Sequence, residues 1–193
     1  MLIAGNWKMF KGTHEARSFT TRIRNLPSRT PGVDIVVCPA FASIRGALEG
    51  LGTESAVRVY AQSVHWALEG AFTGEVSAPM LLDLGASGSI VGHSERRQLF
   101  GETDETVRQR AECALEAGLR VIACIGETEA ERDAGETEAV LARQVSFVPA
   151  HERLVIAYEP VWAIGTGKTA SPELAQEAHA FVRSLRSPCT TRS

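Results

Sequence analysis

The stretch Leu154–Glu159, LVIAYE, is an almost unbroken apolar run that ends on a carboxylate. Similar runs precede it, each followed by residues that favour a turn: Leu2–Asn6, Asp34–Pro39, Val57–Gln62, Gly88–Gly92 and Leu119–Ile125. Successive runs begin roughly 30 residues apart, which is about the length of one βα unit. Because the runs are rich in Val, Ile and Ala and hardly alternate with polar residues, they predict parallel strands that are covered on both faces.

Amphipathic stretches lie between these runs and predict helices: His14–Leu26, Thr103–Ala117, Glu136–Phe147 and Pro172–Leu185. Ser171 is the predicted N-cap of the last helix, because Pro172 suits the first helical position. No linker or change in composition divides the chain. The sequence therefore predicts one α/β domain over residues 1–186, followed by a disordered tail at 187–193.

Composition and charge exclude several classes of protein. The chain has 193 residues, of which 44% are hydrophobic and 22% charged, as in ordinary globular proteins. A net charge of −3 provides no basic surface for nucleic acid or for an anionic membrane. The apolar runs are far shorter than the ~18 residues of a membrane span, and the N-terminus does not resemble a signal peptide. The four cysteines form no CxxC motif, so we expect a cytoplasmic protein with neither a zinc site nor disulfides.

The polar residues at the strand ends distinguish between two α/β architectures. The turn after the first strand reads GNWKMFKG and lacks the GxGxxG pattern of a dinucleotide-binding sheet. Polar residues follow most of the predicted strands at their C-terminal ends: Asn6, Lys8, Gln62, His93, Glu95, Glu127 and Glu159. Reactive groups contributed by many strand ends are typical of TIM-type barrels, which have eight units. The sequence therefore predicts an incomplete TIM-type (βα) barrel of about six βα units.

Each polar strand end also has a structural interpretation that involves no chemistry. Lys8 could be a solvated lysine, and His93 could be a core histidine bonded to a backbone carbonyl. However, Ser94 is a predicted N-cap for the helix ERRQLF, which would place His93 at a helix N-terminus, where the neutral imidazole is favoured. Glu95 is best interpreted as a carboxylate that orients Lys8.

Glu159 and the loop after it carry a stronger functional signal. A carboxylate that leaves a buried strand just before a proline is costly unless it is paired or used as a base. The loop Pro160–Ala170, PVWAIGTGKTA, combines an apolar row with two glycines, which is typical of a lid that excludes water. The alternative is a phosphate-binding P-loop ending in GKT. That motif requires glycine at position 162, where Trp162 stands.

Four long segments resemble triosephosphate isomerases. They are AGNWKM at 4–9, HWALEGAFTGEVSAPML at 65–81, VGHSERRQLFGETDE at 91–105 and AYEPVWAIGTGKTAS at 157–171. The resemblance extends from Met1 to about Arg186. Four ordered segments of this length are far more specific than a single short motif. The resemblance implies the interconversion of dihydroxyacetone phosphate and glyceraldehyde 3-phosphate in glycolysis and gluconeogenesis, without a metal or an organic cofactor.

The resemblance also implies roles for individual residues. Glu159 would be the base that moves a proton between two carbons, and His93 would be the neutral group that polarises the carbonyl. Lys8 would place positive charge beside the enediolate and the phosphate, with Asn6 next to it. Glu95 would support these groups without contacting the substrate.

Two loops complete the implied site. In the lid, Gly165 would donate a backbone N–H to the phosphate, between hinges formed by Pro160, Val161 and Trp162 on one side and Lys168, Thr169 and Ala170 on the other. Loop 65–79 resembles the loop through which the family forms dimers, with Thr73 and Glu75 near its tip. From its residues alone, that loop fits oligomer contact and ordinary packing equally well. We expect a homodimer or a higher homo-oligomer.

The sequence departs from the family pattern after the sixth unit. The two final βα units, whose glycine-rich turns form most of the phosphate site, are not in this sequence. We therefore expect weakened activity, and the alternative is a catalytically impaired relative with a structural or assembly role. The strands Leu2–Asn6 and Leu154–Glu159 would be open edges, and we expect self-association to cover them.

Overall fold

The computed structural model describes residues 1–164, 167 and 169–186. The lid residues Gly165 and Lys168 and the predicted tail at 187–193 lie outside the described residues. The chain divides into two compact units, and each is described separately below. The first unit contains residues 1–91 and 112–122, and the second contains residues 92–111 and 123–193.

The strands and helices alternate along the chain as predicted. The strands are β1 (Leu2–Asn6), β2 (Asp34–Cys38), β3 (Arg58–Ala61), β4 (Gly88–Val91), β5 (Arg120–Ile125) and β6 (Leu154–Tyr158). The helices are α1 (Thr13–Ile23), α2 (Ile44–Leu51), α3 (Ala78–Leu84), α4 (Ser94–Phe100), α5 (Asp104–Glu116), α6 (Glu129–Asp133), α7 (Thr137–Phe147) and α8 (Pro172–Arg186). Short 3-10 turns occur at Pro27–Arg29, Phe41–Ser43 and Val161–Ala163.

All six predicted strands are confirmed to within one residue at each end. The first predicted helix is shorter than expected, because α1 ends at Ile23 and a 3-10 turn begins at Pro27. Leu26, which precedes Pro27, keeps a helical backbone conformation, so the chain enters the 3-10 turn from the helical region. The predicted cap of α8 is confirmed, because the Ser171 hydroxyl accepts the N–H of Leu174 at 3.3 Å.

The first unit contains parallel strands in chain order. Leu2 of β1 pairs with Asp34 of β2, and Tyr60 of β3 pairs with Gly88 of β4. Helix α1 packs on α2 so closely that a Cβ on Gly46 would lie 2.5 Å from the Thr13 carbonyl oxygen. The glycine is therefore required by the packing of these two helices rather than by a turn.

The second unit contains most of α5, the end of β5, strand β6 and the helices α4, α6, α7 and α8. The N–H of Glu159 donates to the carbonyl of Ile125 at 2.7 Å, which joins the ends of β5 and β6. The Arg186 guanidinium donates to the carbonyl of Val148 at 2.6 Å and so ties α8 to the end of α7. Burial lowers the pKa of Arg186.

The six strands follow one another in the order β1 to β6, with helical segments between them. This repeated βα order confirms the predicted fold class, an incomplete TIM-type α/β barrel. Cys38, Cys113 and Cys124 are buried, and burial raises the pKa of the Cys38 thiol to about 12. Among the described helices, none has both the length and the apolar character needed to cross a bilayer.

The first and last described strands, β1 and β6, both carry exposed apolar side chains. Ile3 on β1 is 53% exposed and Val155 on β6 is 46% exposed. Within the described residues, β1 stands at the end of the strand order with β2 as its neighbour. The expectation that self-association covers these strands stays a prediction.

Candidate active site

Lys8 has a backbone conformation that lysine rarely adopts. Its φ is 52°, in the left-handed region, which is unfavourable for a residue with a Cβ. The Asn6 side chain accepts the N–H of Lys8 at 2.9 Å, and the Gln62 side chain donates to the Lys8 carbonyl at 2.8 Å. Gln62 also donates to the carbonyl of Cys38 at 2.8 Å. Asn6 at the end of β1 and Gln62 directly after β3 thus hold the backbone of Lys8 in this conformation.

His93 follows β4 and begins α4. It is itself the N-cap, and Ser94 is the first residue of the helix, so the prediction of Ser94 as the cap was wrong. The extended backbone of His93 brings Nδ1 to 3.2 Å from the N–H of Glu95, which donates to it. A ring nitrogen that accepts a hydrogen bond carries no proton, so the neutral ring has its proton on Nε2. The expected position of His93 at a helix N-terminus is confirmed.

The Glu159 carboxylate contacts this histidine. Its Oε1 lies 3.4 Å from His93 Nε2, and its Oε2 accepts the N–H of Ser94 at 3.1 Å. The side chain is 16% exposed. The first N–H groups of a helix are otherwise unpaired and favour a negative charge, so α4 stabilises this carboxylate. A carboxylate and a protonated imidazole nitrogen therefore meet at one point of the second unit.

The backbone of Glu159 is fixed by its close approach to Gly126. A Cβ on Gly126 would lie 1.8 Å from the Glu159 carbonyl oxygen, far inside contact distance. Glu127, the residue after Gly126, is fully buried. Glycine after β5 thus allows the main chain that carries Glu159 to lie directly against it.

Three donors converge on the Oε1 atom of Glu127. They are Arg132 Nη1 at 3.0 Å, the Tyr158 hydroxyl at 3.0 Å and Trp162 Nε1 at 2.9 Å. Burial, together with the adjacent Glu127 charge, raises the pKa of Tyr158 to about 12, so its hydroxyl keeps its proton. Trp162 lies in the 3-10 turn Val161–Ala163, one of the predicted lid hinges. This hinge is therefore anchored to a buried carboxylate.

A cavity of about 530 Å³ lies near the candidate base within the second unit, where Ser94 and Val161 form part of its wall. Its charged lining residues are Arg97, Arg143, Glu102, Asp104, Glu105 and Glu131. Because carboxylates outnumber guanidiniums in this wall, the cavity does not suit a phosphate group. Among the described residues, no group of three or more His, Cys, Asp or Glu side chains could hold a metal ion.

Comparison with known proteins identifies the family of this chain. The family model described as triosephosphate isomerase matches residues 1–192. The chain belongs to the triosephosphate isomerase family. It is 51% identical over 188 residues to the triosephosphate isomerase of Solibacter usitatus, covering 94% of this chain and 75% of that relative. The enzyme of Geobacter metallireducens is 50% identical over 190 residues, and that of Carboxydothermus hydrogenoformans is 50% identical over 192 residues. Each of these two matches covers 95% of this chain and 75% of the relative.

Family membership confirms the resemblance drawn from the four segments and makes the chain an isomerase. The chain spans three quarters of the length of these triosephosphate isomerases. The individual site assignments stay predictions. Asn6 and Lys8 belong to the first unit, whereas His93, Glu95 and Glu159 belong to the second.

Of the remaining predicted residues, Glu95 lies in the first turn of α4, and the others described lie outside helices and strands: Thr73, Glu75, Thr169 and Ala170. Glu95 is partly exposed, and its Oε2 is 3.8 Å from His93 Nδ1. In the second lid hinge, Thr169 is exposed and Ala170 is half-buried. Thr73 and Glu75 are both exposed in loop 65–79.

Loop 65–79 is organised around His65. This buried imidazole stacks against Trp66 and Phe72, with ring centroids 4.2 Å away in both cases. The N–H of His65 donates to the carbonyl of Val76 at 2.8 Å and closes the base of the loop. The loop therefore has a packed interior while its tip faces solvent.

Proposed function

We propose that this chain interconverts dihydroxyacetone phosphate and glyceraldehyde 3-phosphate through an enediolate. The observation that carries the proposal is the contact between the Glu159 carboxylate and Nε2 of His93. One group can accept a proton from carbon while the other donates a hydrogen bond to oxygen. Isomerisation of an α-hydroxy carbonyl compound requires both actions at neighbouring atoms.

The proposed reaction moves one proton between two carbons. Glu159 accepts the proton from the carbon next to the carbonyl, and the C–H electron pair forms the double bond of the enediolate. The N–H at Nε2 of His93 donates to the carbonyl oxygen, which gains negative charge as the double bond forms. Proton transfers between the two oxygens follow, and Glu159 then returns its proton to the other carbon. These steps use protein groups alone.

Lys8 is proposed to supply positive charge to the enediolate oxygen and to the phosphate. The support is its strained backbone, because residues held with φ near +50° cluster where a fixed position serves function. Asn6 acts beside it by holding that backbone. The N–H of Gly165 is the proposed lid donor to the phosphate.

The assay that tests this function uses the purified chain in D₂O with each triose phosphate as substrate. We expect turnover in both directions, with solvent deuterium entering the product at the carbon that was protonated. Coupled spectrophotometry gives kcat and KM, which separates full from weakened activity. Absence of both turnover and deuterium incorporation would overturn the proposal and favour the catalytically impaired alternative.

We propose that the working form is a homo-oligomer in the cytoplasm, and exposed apolar residues on β1 and β6 support the self-association. Ile3 and Val155 present aliphatic groups to solvent, and loop 65–79 is exposed around Thr73 as well. We expect light scattering at micromolar concentration to give at least twice the mass of one chain. A mass equal to 20.8 kDa would contradict this assignment.

A further inference from the structure

The side chain of Gln144 binds both polar groups of the Gly126 main chain. The N–H of Gly126 donates to Oε1 of Gln144 at 2.7 Å, and Nε2 of Gln144 donates to the carbonyl of Gly126 at 3.1 Å. Gly126 lies directly after β5, and Gln144 lies on α7, 18 residues further along the chain. A primary amide has an acceptor and a donor, so it can pair with the main chain as a neighbouring strand would.

This pairing is buried. Gln144 is 5% exposed, and Gly126 is buried as well. The other buried residues on this face of α7 are apolar: Val140, Leu141 and Val145. Buried N–H and carbonyl groups are costly when they are unpaired, so the hydrogen bonds to Gly126 account for a polar side chain at this position. Gln144 therefore fixes the orientation of the Gly126 main chain and does more than fill space.

Gly126 in turn determines where the main chain of Glu159 lies. A Cβ on Gly126 would be only 1.8 Å from the carbonyl oxygen of Glu159, so the two backbones are in direct contact. The N–H of Glu159 donates to the carbonyl of Ile125 at 2.7 Å. Ile125 and Gly126 thus contact the main chain of Glu159 on both of its polar groups. Because a packed interior yields little, a shift of Gly126 is transmitted to Glu159.

The position of this main chain sets the distance between the carboxylate and the imidazole. Oε1 of Glu159 is 3.4 Å from Nε2 of His93, and Oε2 accepts the N–H of Ser94 at 3.1 Å. His93 and Ser94 lie at the start of α4, whereas Glu159 directly follows β6. A displacement of Glu159 therefore changes both distances, and proton transfer depends steeply on the placement of the reacting groups.

We propose that Gln144 is a positioning residue for the carboxylate of Glu159. Its amide fixes the main chain of Gly126, and Gly126 bears against the main chain of Glu159. The carboxylate is thereby aligned with Nε2 of His93. The inference rests on the proposed function, because it concerns the alignment of the proposed base. Without the amide of Gln144, the main chain of Gly126 turns toward other partners and the carboxylate loses this alignment.

The test compares two substitutions of Gln144. Gln144→Met has a similar length and removes both hydrogen bonds to Gly126, whereas Gln144→Glu keeps an acceptor for the Gly126 N–H and loses only the donor. Gln109→Met is the matched control, because the Gln109 amide donates to Glu105 at 3.2 Å on a half-buried part of α5. Kinetics and NMR spectra are recorded at a temperature at which circular dichroism shows every variant to be folded.

The NMR signal of His93 reports the alignment without turnover. The chain contains five histidines, so ¹³C labelling at the Cε1 carbon of histidine gives five signals. The variant His93→Gln assigns the signal of His93. Glu159→Gln then shows the chemical shift that this signal takes when the carboxylate is absent.

We expect Gln144→Met to move the His93 signal toward its position in Glu159→Gln. The base is still present but misaligned, so kcat is expected to fall about tenfold while KM changes by about twofold at most. Gln144→Glu should give an intermediate change in both measurements, and it carries the test if the methionine variant does not fold. Gln109→Met should match the parent chain.

An unmoved His93 signal in the folded Gln144 variants overturns the inference, because Gln144 would then stabilise the fold without aligning the base. A moved signal with unchanged kcat also overturns it, and so does an equal effect of Gln109→Met. If the parent chain shows no turnover, the proposed function fails, while the His93 signal alone decides whether Gln144 positions Glu159. The two failures are therefore distinguishable.

Discussion

Replacement of Glu159 by glutamine is expected to lower kcat about 10³-fold while KM changes by only a few-fold. Glutamine has the same shape, and its carbonyl oxygen can still accept the N–H of Ser94, which now bonds to Glu159 Oε2. It cannot accept a proton from carbon. The substitution therefore affects proton transfer and leaves the hydrogen bond to Ser94 in place. Deuterium incorporation from D₂O should fall in parallel with kcat.

Glu138→Gln is the matched control, because Glu138 is an exposed glutamate on α7. We expect this variant to have the activity of the parent chain. Equal activities of Glu159→Gln and Glu138→Gln would show that another residue is the base or that the turnover comes from a contaminating enzyme. Circular dichroism on both variants checks that the fold is retained.

The strand pattern was predictable because it is local. In β5 and β6, continuous apolar runs and the turn residues after them specify strand ends without information from elsewhere in the chain. The prediction that His93 and Glu159 lie in one site depended instead on the general rule that reactive groups collect at the C-terminal ends of barrel strands. Sequence reasoning identified both residues but gave no distance between them.

The features that sequence reasoning missed depend on contacts between distant residues. Glu127 was noted only as a polar strand end, because its partner Trp162 lies 35 positions further along the chain. Gly126 gave no signal at all, since its role is visible only when the backbone of Glu159 lies against it. The capping role of His93 was assigned to Ser94 because serine is the more common cap and the extended backbone of the histidine is not encoded in a short motif.

Glu102 connects the segment that carries His93 to two arginines. Its side chain is 3% exposed, it is hydrogen-bonded to the Arg96 guanidinium, and it accepts the N–H of Gly92 at 3.3 Å. The Nε atom of Arg110, which is also buried, lies 3.4 Å from the same carboxylate. The buried Glu102 carboxylate thus compensates the charges of Arg96 and Arg110. Through its bond to Gly92 it also fixes the residue that directly precedes His93.

The variant Glu102→Gln is therefore expected to be strongly destabilised. Removal of one partner from a buried ion pair leaves the remaining charge poorly compensated, at a cost of about 3 kcal/mol. In a chain of this length such a loss lowers the thermal midpoint by about 10 °C. Urea titration gives the change in the free energy of unfolding, and differential scanning calorimetry gives the midpoint.

Glu105→Gln is the control that separates burial from charge alone. Glu105 pairs with Arg108 at 2.5 Å, but the side chains of both residues are partly exposed, so water already compensates much of their charge. We expect its midpoint to match the parent chain. If Glu102→Gln and Glu105→Gln unfold at the same urea concentration, the buried carboxylate contributes no more than an exposed one. In that case the position of His93 must depend on its own capping bond to Glu95 rather than on Glu102.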